Sequence, residues 1–314
     1  MRHNISPIGM IDLLVKDETS KLEAVVLGIA KSTGGVPSLD EAYDPKSKQH
    51  IIAGTFPEDE ALLPELAAFE KVLKKYDVEV YRPDNIQNLN QIFSRDIGYV
   101  IDDKLVVPNI IAEREAEKSG LYPIIEHINK GNVLHMPAGA HSEGGDVMPW
   151  KGKLFVGYEE AEDFEKYKVS RTNKAGVDFL KNSFPNYEVH AFELNKSDDN
   201  ALDNALHLDC CFQPIGNDMC IIYEGGFKNK SDFDYLVSFF GEDKCIQISQ
   251  QEMYEMNSNV FSIAPDVIVS EQTFTRLNAI LRDKGFTVEA IPYNECAKME
   301  GLLRCSTMPL RRKN

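Results

Sequence analysis

One pattern limits the folds open to this 314-residue chain. A unit of two short strands, a helix and a third strand recurs five times, at roughly 50–65 residues per unit. The spacing predicts an amphipathic helix followed by a strand in "ALLPELAAFEKVLKKYDVEVYRP" (61–83), "LYPIIEHINKGNVLHMPA" (121–138), "NKAGVDFLKNSFPNYEVHAFEL" (173–194), "SDFDYLVSFFGEDKCIQIS" (231–249) and "TFTRLNAILRDKGFTVEAIPY" (273–293). Between them, strand–turn–strand segments are predicted at 93–109, 143–158, 207–224 and 258–270. Their turns are Asp102-Asp103, Lys151-Gly152, Gly216-Asn217 and Pro265-Asp266. The first unit has "LEAVVLGIA" (22–30) and, after an irregular link, "HIIAGTF" (50–56) as a further strand.

A unit of this size cannot bury its own apolar faces, but five arranged around an axis can. The chain therefore reads as α/β, a five-bladed α/β propeller of hairpin–helix–strand modules with pseudo-fivefold symmetry. The last strand, near 302–310, returns to the first module and closes the ring. No Pro/Gly/Ser-rich linker divides the chain, so residues 1–314 read as a single domain. Two polar stretches, 31–49 and 159–170, read as surface loops or lids.

Bulk properties narrow the class of function. A net charge of −16 argues against nucleic acid as a partner. No uncharged apolar run approaches ~18 residues, so no membrane-spanning helix is expected. Asp12 interrupts the short apolar run near the N-terminus, which therefore lacks a signal-peptide core. The cysteines 210, 211, 220, 245, 296 and 305 do not follow zinc-site spacing. A reduced, cytoplasmic protein is expected, with no metal; a homo-oligomer is left open.

Several polar residues fall at equivalent points of the modules: Asp96 in "FSRD", Glu143 and Asp146 in "EGGD", His207 and Asp209 in "HLD", Asn259 in "NSNV", and Cys305 in the closing strand. In a closed radial fold, equivalent positions converge near the axis. Cysteine beside histidine is a nucleophile with an acid/base partner. Carboxylates alone would raise the thiol pKa, so they make sense if the substrate brings its own positive charge. A guanidinium does so. Asp96 and Asp209 can grip its N–H groups by bidentate, charge-assisted hydrogen bonds, and the bound cation would favour the Cys305 thiolate. Each residue also has a plain alternative. Cys305 would serve as a core thiol and His207 as a hydrogen-bonded structural imidazole. Asp96 would pair with Arg95, Asp209 would be a turn residue, and Glu143 would precede a glycine bulge. His3, His50, His127, His135, His141 and His190 read as surface or packing residues.

With "FSRD", "EGGDV", "HLD" and the terminal "RCSTMPL" in this order, the sequence resembles the guanidino-group-modifying superfamily of the pentein fold. That superfamily includes arginine deiminases, dimethylarginine dimethylaminohydrolases and amidinotransferases. The resemblance covers roughly residues 20 to 312. It implies Cys305 as nucleophile, His207 as general acid and base, and Glu143 as the carboxylate that contacts substrate or orients the histidine. It further implies Asp96 and Asp209 as guanidinium clamps, Phe93 as an aromatic packing on the substrate, and Arg171 as a ligand for the substrate's carboxylate. No cofactor is implied, and the partner is a small guanidino molecule. The sequence departs from the family in lacking room for the extra helical domain of typical arginine deiminases. It also has one glycine in "KMEGLLRC" and an insertion at 159–170. The function expected is a cysteine-dependent hydrolase of a guanidino or ureido group, acting through an S-alkylthiouronium intermediate. The alternatives are an amidinotransferase, in which an amine resolves the same intermediate, and a non-catalytic binding module on the same scaffold.

Overall fold

The computed structural model describes residues 9–313. Among them, five three-stranded sheets share one plan: an antiparallel pair of strands, a hairpin in four of the five, then a third strand joined in parallel after a helical crossover. The first module holds β1 (Leu22–Leu27) and β2 (Glu79–Tyr81). The second holds β3 (Tyr99–Ile101), β4 (Lys104–Val107) and β5 (Val133–His135). The third holds β6 (Val147–Trp150), β7 (Lys153–Tyr158) and β8 (Glu188–Glu193), and the fourth β9 (Phe212–Ile215), β10 (Met219–Ile222) and β11 (Cys245–Gln247). The fifth holds β12 (Phe261–Ala264), β13 (Val267–Glu271) and β14 (Thr287–Ile291). The final strand, β15 (Thr307–Arg312), pairs antiparallel with β1 in the register Val25↔Pro309 and Val26↔Met308. The ring is thus closed by the chain's own end, as the repeat requires.

Local chemistry explains most of these elements. Lys151 and Gly152 both take positive φ (48° and 78°), the geometry of a tight primed turn that matches strand twist. The helix Asp59–Lys75 buries Leu62, Leu66, Phe69 and Leu73, one apolar stripe laid against the sheets. The crossover of the second module differs from expectation. A ten-residue 3-10 segment, Ala112–Leu121, precedes a short helix at Tyr122–Ile125.

Two expectations are corrected. "HIIAGTF" is not a strand: His50–Ile52 form the last turn of the helix Pro45–Ile52. Asp44 caps that helix by accepting from Ser47 N at 2.6 Å, and Pro45 pre-sets its first turn, so helix wins over a locally β-prone run. The antiparallel partner of β1 is β15 instead. Cys305 also precedes the closing strand, in the turn before Thr307. The helix Ala161–Lys166 occupies the 159–170 stretch. Among the described residues, no helix is long and apolar enough to cross a membrane. His3 lies outside the described residues.

Candidate active site

Each module delivers its polar residue from the turn just before its first strand. Asp96 precedes β3, Glu143 precedes β6, His207 precedes β9, Asn259 precedes β12 and Cys305 precedes β15. Backbone geometry at these turns depends on glycine. A Cβ at Gly145 would lie 2.6 Å from His207 Cγ, and one at Gly144 would lie 2.1 Å from the Arg95 carbonyl oxygen. "EGGD" is therefore a tight approach between modules; its glycines fall in a 3-10 turn and not in a bulge. Gly301 plays the same part beside the cysteine, since a Cβ there would lie 2.3 Å from the Phe93 ring.

The side chains meet as follows. His207 Nε2 lies 2.9 Å from Glu143 Oε2, and His207 Nδ1 lies 3.9 Å from Asp96 Oδ1. Cys305 Sγ lies 3.6 Å from Asp209 Oδ2. Asn259 holds the cysteine from the other side. Its Nδ2 donates to Cys305 Sγ at 3.1 Å, and its Oδ1 accepts from the backbone N–H of Arg304 and Cys305 at 3.0 and 3.2 Å. Phe93 is buried against Gly301, and its carbonyl accepts from Arg114 at 3.3 Å. Arg171 donates to Glu143 Oε2 at 3.0 Å and to the Tyr43 carbonyl at 3.4 Å. All seven expected residues are thus buried in one region.

Three arginines complete the site, two of them on positions the sequence gave no reason to single out. Arg114, from the 3-10 segment, donates to Asp96 Oδ2 at 2.7 Å and to Glu117 through two bonds of 3.0 and 2.8 Å. Arg304 donates to Asp209 Oδ2 at 2.9 Å and to both oxygens of Glu18 at 3.0 Å. Glu18 is supplied by the N-terminal segment, which runs beside β15 through Leu14 N to Leu310 O at 2.9 Å. The pattern is consistent. Asp96, Glu143 and Asp209 each have one oxygen pinned by an arginine: Arg114, Arg171 and Arg304 respectively. The other oxygen of Asp96 and that of Glu143 are buried with no hydrogen-bond partner, and that of Asp209 has only a long 3.9 Å contact from Cys210 Sγ.

Electrostatics follow from this geometry. Burial alone would discharge His207, but Asp96 and Glu143 outweigh it and raise the imidazole to about 9. Glu143 is buried too, yet Arg171 and His207 hold its carboxyl far below the usual range. Burial, then Asp209 and Asp96, push the Cys305 thiol well up. These surroundings favour an imidazolium at His207 and a neutral thiol at Cys305 near neutral pH. Asp96, Glu143 and His207 present ligand atoms within 4.8 Å of one another, a set able to hold a divalent cation. Arg114 and Arg171 already place positive charge on two of those three groups.

A cavity of about 410 Å³ lies beside the arginines of this cluster. Glu117 and Tyr43, which bind Arg114 and Arg171, form part of its wall, as do Thr33–Pro37 of the 31–49 stretch. Part of that stretch therefore lines the same cavity as Glu117 and Tyr43.

Residues 51–312 match the family described as N,N dimethylarginine dimethylhydrolase, eukaryotic. The chain belongs to that family. It is 26% identical over 244 residues to the uncharacterized protein YkgA of Bacillus subtilis, covering 77% of each chain. It is also 26% identical over 288 residues to the arginine deiminase of Streptococcus agalactiae, covering 80% of this chain and 68% of the other. Among solved structures, it superposes on the N-terminal domain of ArgZ, an arginine dihydrolase from the ornithine–ammonia cycle in cyanobacteria. The TM-score is 0.75 at 17% identity, covering 93% of this chain and 98% of that one. At that identity the likeness bears on the fold, and it agrees with the five-module ring of the pentein superfamily.

Proposed function

We propose that this protein is a hydrolase that attacks the guanidino carbon of an arginine-like molecule with the Cys305 thiol. Family membership supports action on a guanidino group. The observation that carries the reading is the set of three buried carboxylates, each with one oxygen pinned by an arginine and the other left without a close partner. Buried anions in this state favour a cationic ligand that carries several N–H donors.

In this reading Asp96 and Asp209 accept N–H bonds from the two terminal nitrogens, and the guanidino carbon lies over Cys305 Sγ. The bound cation offsets Asp96 and Asp209 and lowers the thiol's pKa, so the thiol loses its proton to solvent and the thiolate becomes available. Sγ bonds to the guanidino carbon, and His207, as imidazolium, protonates one terminal nitrogen, which leaves as an amine. The resulting S-alkylthiouronium is attacked by water, whose proton passes to the neutral His207. The C–S bond then breaks to release a ureido product and Cys305. Glu143 holds His207 in place and keeps its proton affinity high. Phe93 packs beside the bound group, and Arg171 orients Glu143 at the side where a substrate carboxylate would enter.

A nitrogen gripped by Asp96 or Asp209 needs an N–H, and an N,N-dimethylated nitrogen has none. The reading therefore favours an unmethylated guanidino group. The test is a panel of arginine, N,N-dimethylarginine, agmatine and citrulline, with and without glycine as acceptor, read by mass spectrometry of the small molecules. Ureido product from arginine in water alone is expected. Product only with an amine acceptor would make the protein an amidinotransferase, and no product from any member would favour a binding module.

A further inference from the structure

Outside the site, two cysteines face each other across neighbouring strands. Cys220 of β10 and Cys245 of β11 are direct partners in the parallel register, and their sulfurs lie 3.5 Å apart. Side chains opposite one another on adjacent strands leave from the same face of the sheet, so only a small approach separates this pair from bonding distance. Their exposure is unequal. Cys220 is fully buried, whereas Cys245, on the third strand of its sheet, is partly exposed. The remaining cysteines, 210, 211, 296 and 305, are all buried.

We propose that Cys220 and Cys245 form a redox modification site that takes a small-molecule disulfide as oxidant and closes an intramolecular disulfide between β10 and β11. The chemistry needs one accessible attacking thiol and one sheltered resolving thiol. Cys245 Sγ attacks one sulfur of the oxidant RSSR, forms a mixed disulfide and releases one RSH. Cys220 Sγ then attacks the Cys245 sulfur, forms the protein disulfide and releases the second RSH. Two protein thiols are oxidised, two electrons and two protons pass to RSSR, and nothing else is required. The hydrogen bond from Cys220 lowers the Cys245 pKa despite partial burial, which suits the first step. Cys305 is buried whereas Cys245 is partly exposed, so Cys245 meets the oxidant ahead of the nucleophile. The bond would tie off the segment containing the helix Lys230–Phe240.

The test treats the native full-length chain with glutathione disulfide, alkylates the remaining thiols and reads intact mass and mapped peptides. The expected result is loss of two thiols, a mass lower by two hydrogens, and one peptide pair joining 220 to 245 that dithiothreitol separates. In Cys220→Ala the same treatment should leave a glutathionyl group on Cys245. Both cysteines found alkylated after treatment, a mixed disulfide that persists in the wild type, or a bond between other cysteines would each overturn the assignment. The wild-type mass alone decides if the variant does not fold, and arginine turnover by Cys245→Ser separates this result from the fate of the proposed active site.

Discussion

Glu143 Oε2 is shared by two donors, His207 Nε2 at 2.9 Å and Arg171 Nη1 at 3.0 Å. The carboxylate is kept ionised by the arginine and in turn keeps a proton on the histidine. Glu143→Gln preserves the shape and removes the charge. The His207 pKa should fall from about 9 toward the ordinary 6.5, read by NMR titration of the imidazole. Turnover should drop about 10²-fold or more, as expected for impaired acid/base catalysis. An unchanged imidazole pKa would remove Glu143 from this role.

The raised His207 pKa also sets a pH dependence of stability. The folded-state value lies above the unfolded value, so the stabilisation is complete below pH 6.5 and is lost as pH rises through about 9. The loss is on the order of 3 kcal/mol. Urea melts at pH 6.5, 8 and 9.5 should show it in the wild type, and His207→Gln should flatten the slope.

Asp209 carries two burdens, one toward Cys305 and one toward Arg304. Asp209→Asn should weaken arginine binding and also leave Arg304 with less compensating charge in a buried site. The stability cost is about 3–5 kcal/mol, measured by denaturant midpoint, because removing one partner of a buried pair strands the other. Glu18→Gln should cost stability by the same mechanism. It touches neither cysteine nor substrate, so its effect on turnover should be smaller than that of Asp209→Asn.

Gly145→Ala tests positioning directly. Its Cβ would intrude to 2.6 Å from the imidazole, so His207 must shift while the charges of the site stay the same. A displacement of ~1 Å costs about 10²-fold in rate. The expected readout is a low kcat with a near-normal KM for arginine in a folded protein.

The ring and the five convergent polar residues were legible because both depend on period. Strand and helix patterns repeat, and the polar residue of each module falls just before its first strand. The first module broke the pattern for a local reason: Asp44 and Pro45 cap a helix over residues that otherwise favour a strand. The arginines were harder. Arg114 lies in "AEREAEKSGL", which reads as a solvated charged segment, and only the inward turn of the 3-10 backbone buries it. Its one signal was Glu117, three residues on and thus on the same side. Glu18 lies ahead of the repeat altogether. Arg304 stood beside the nucleophile in the sequence, but its role depends on a carboxylate 95 residues away in the chain.

The central claim is that a bound guanidinium turns the neutral Cys305 thiol into a nucleophile. The direct measurement is rapid quench of the wild-type protein with arginine, followed by intact mass and peptide mapping, with thiolate absorbance followed in parallel on adding a guanidinium ligand. The account predicts a thiolate signal that appears only with ligand and a transient adduct on Cys305, both absent in Cys305→Ser. Product formation without any adduct on Cys305, or turnover retained by a folded Cys305→Ser protein, would contradict it.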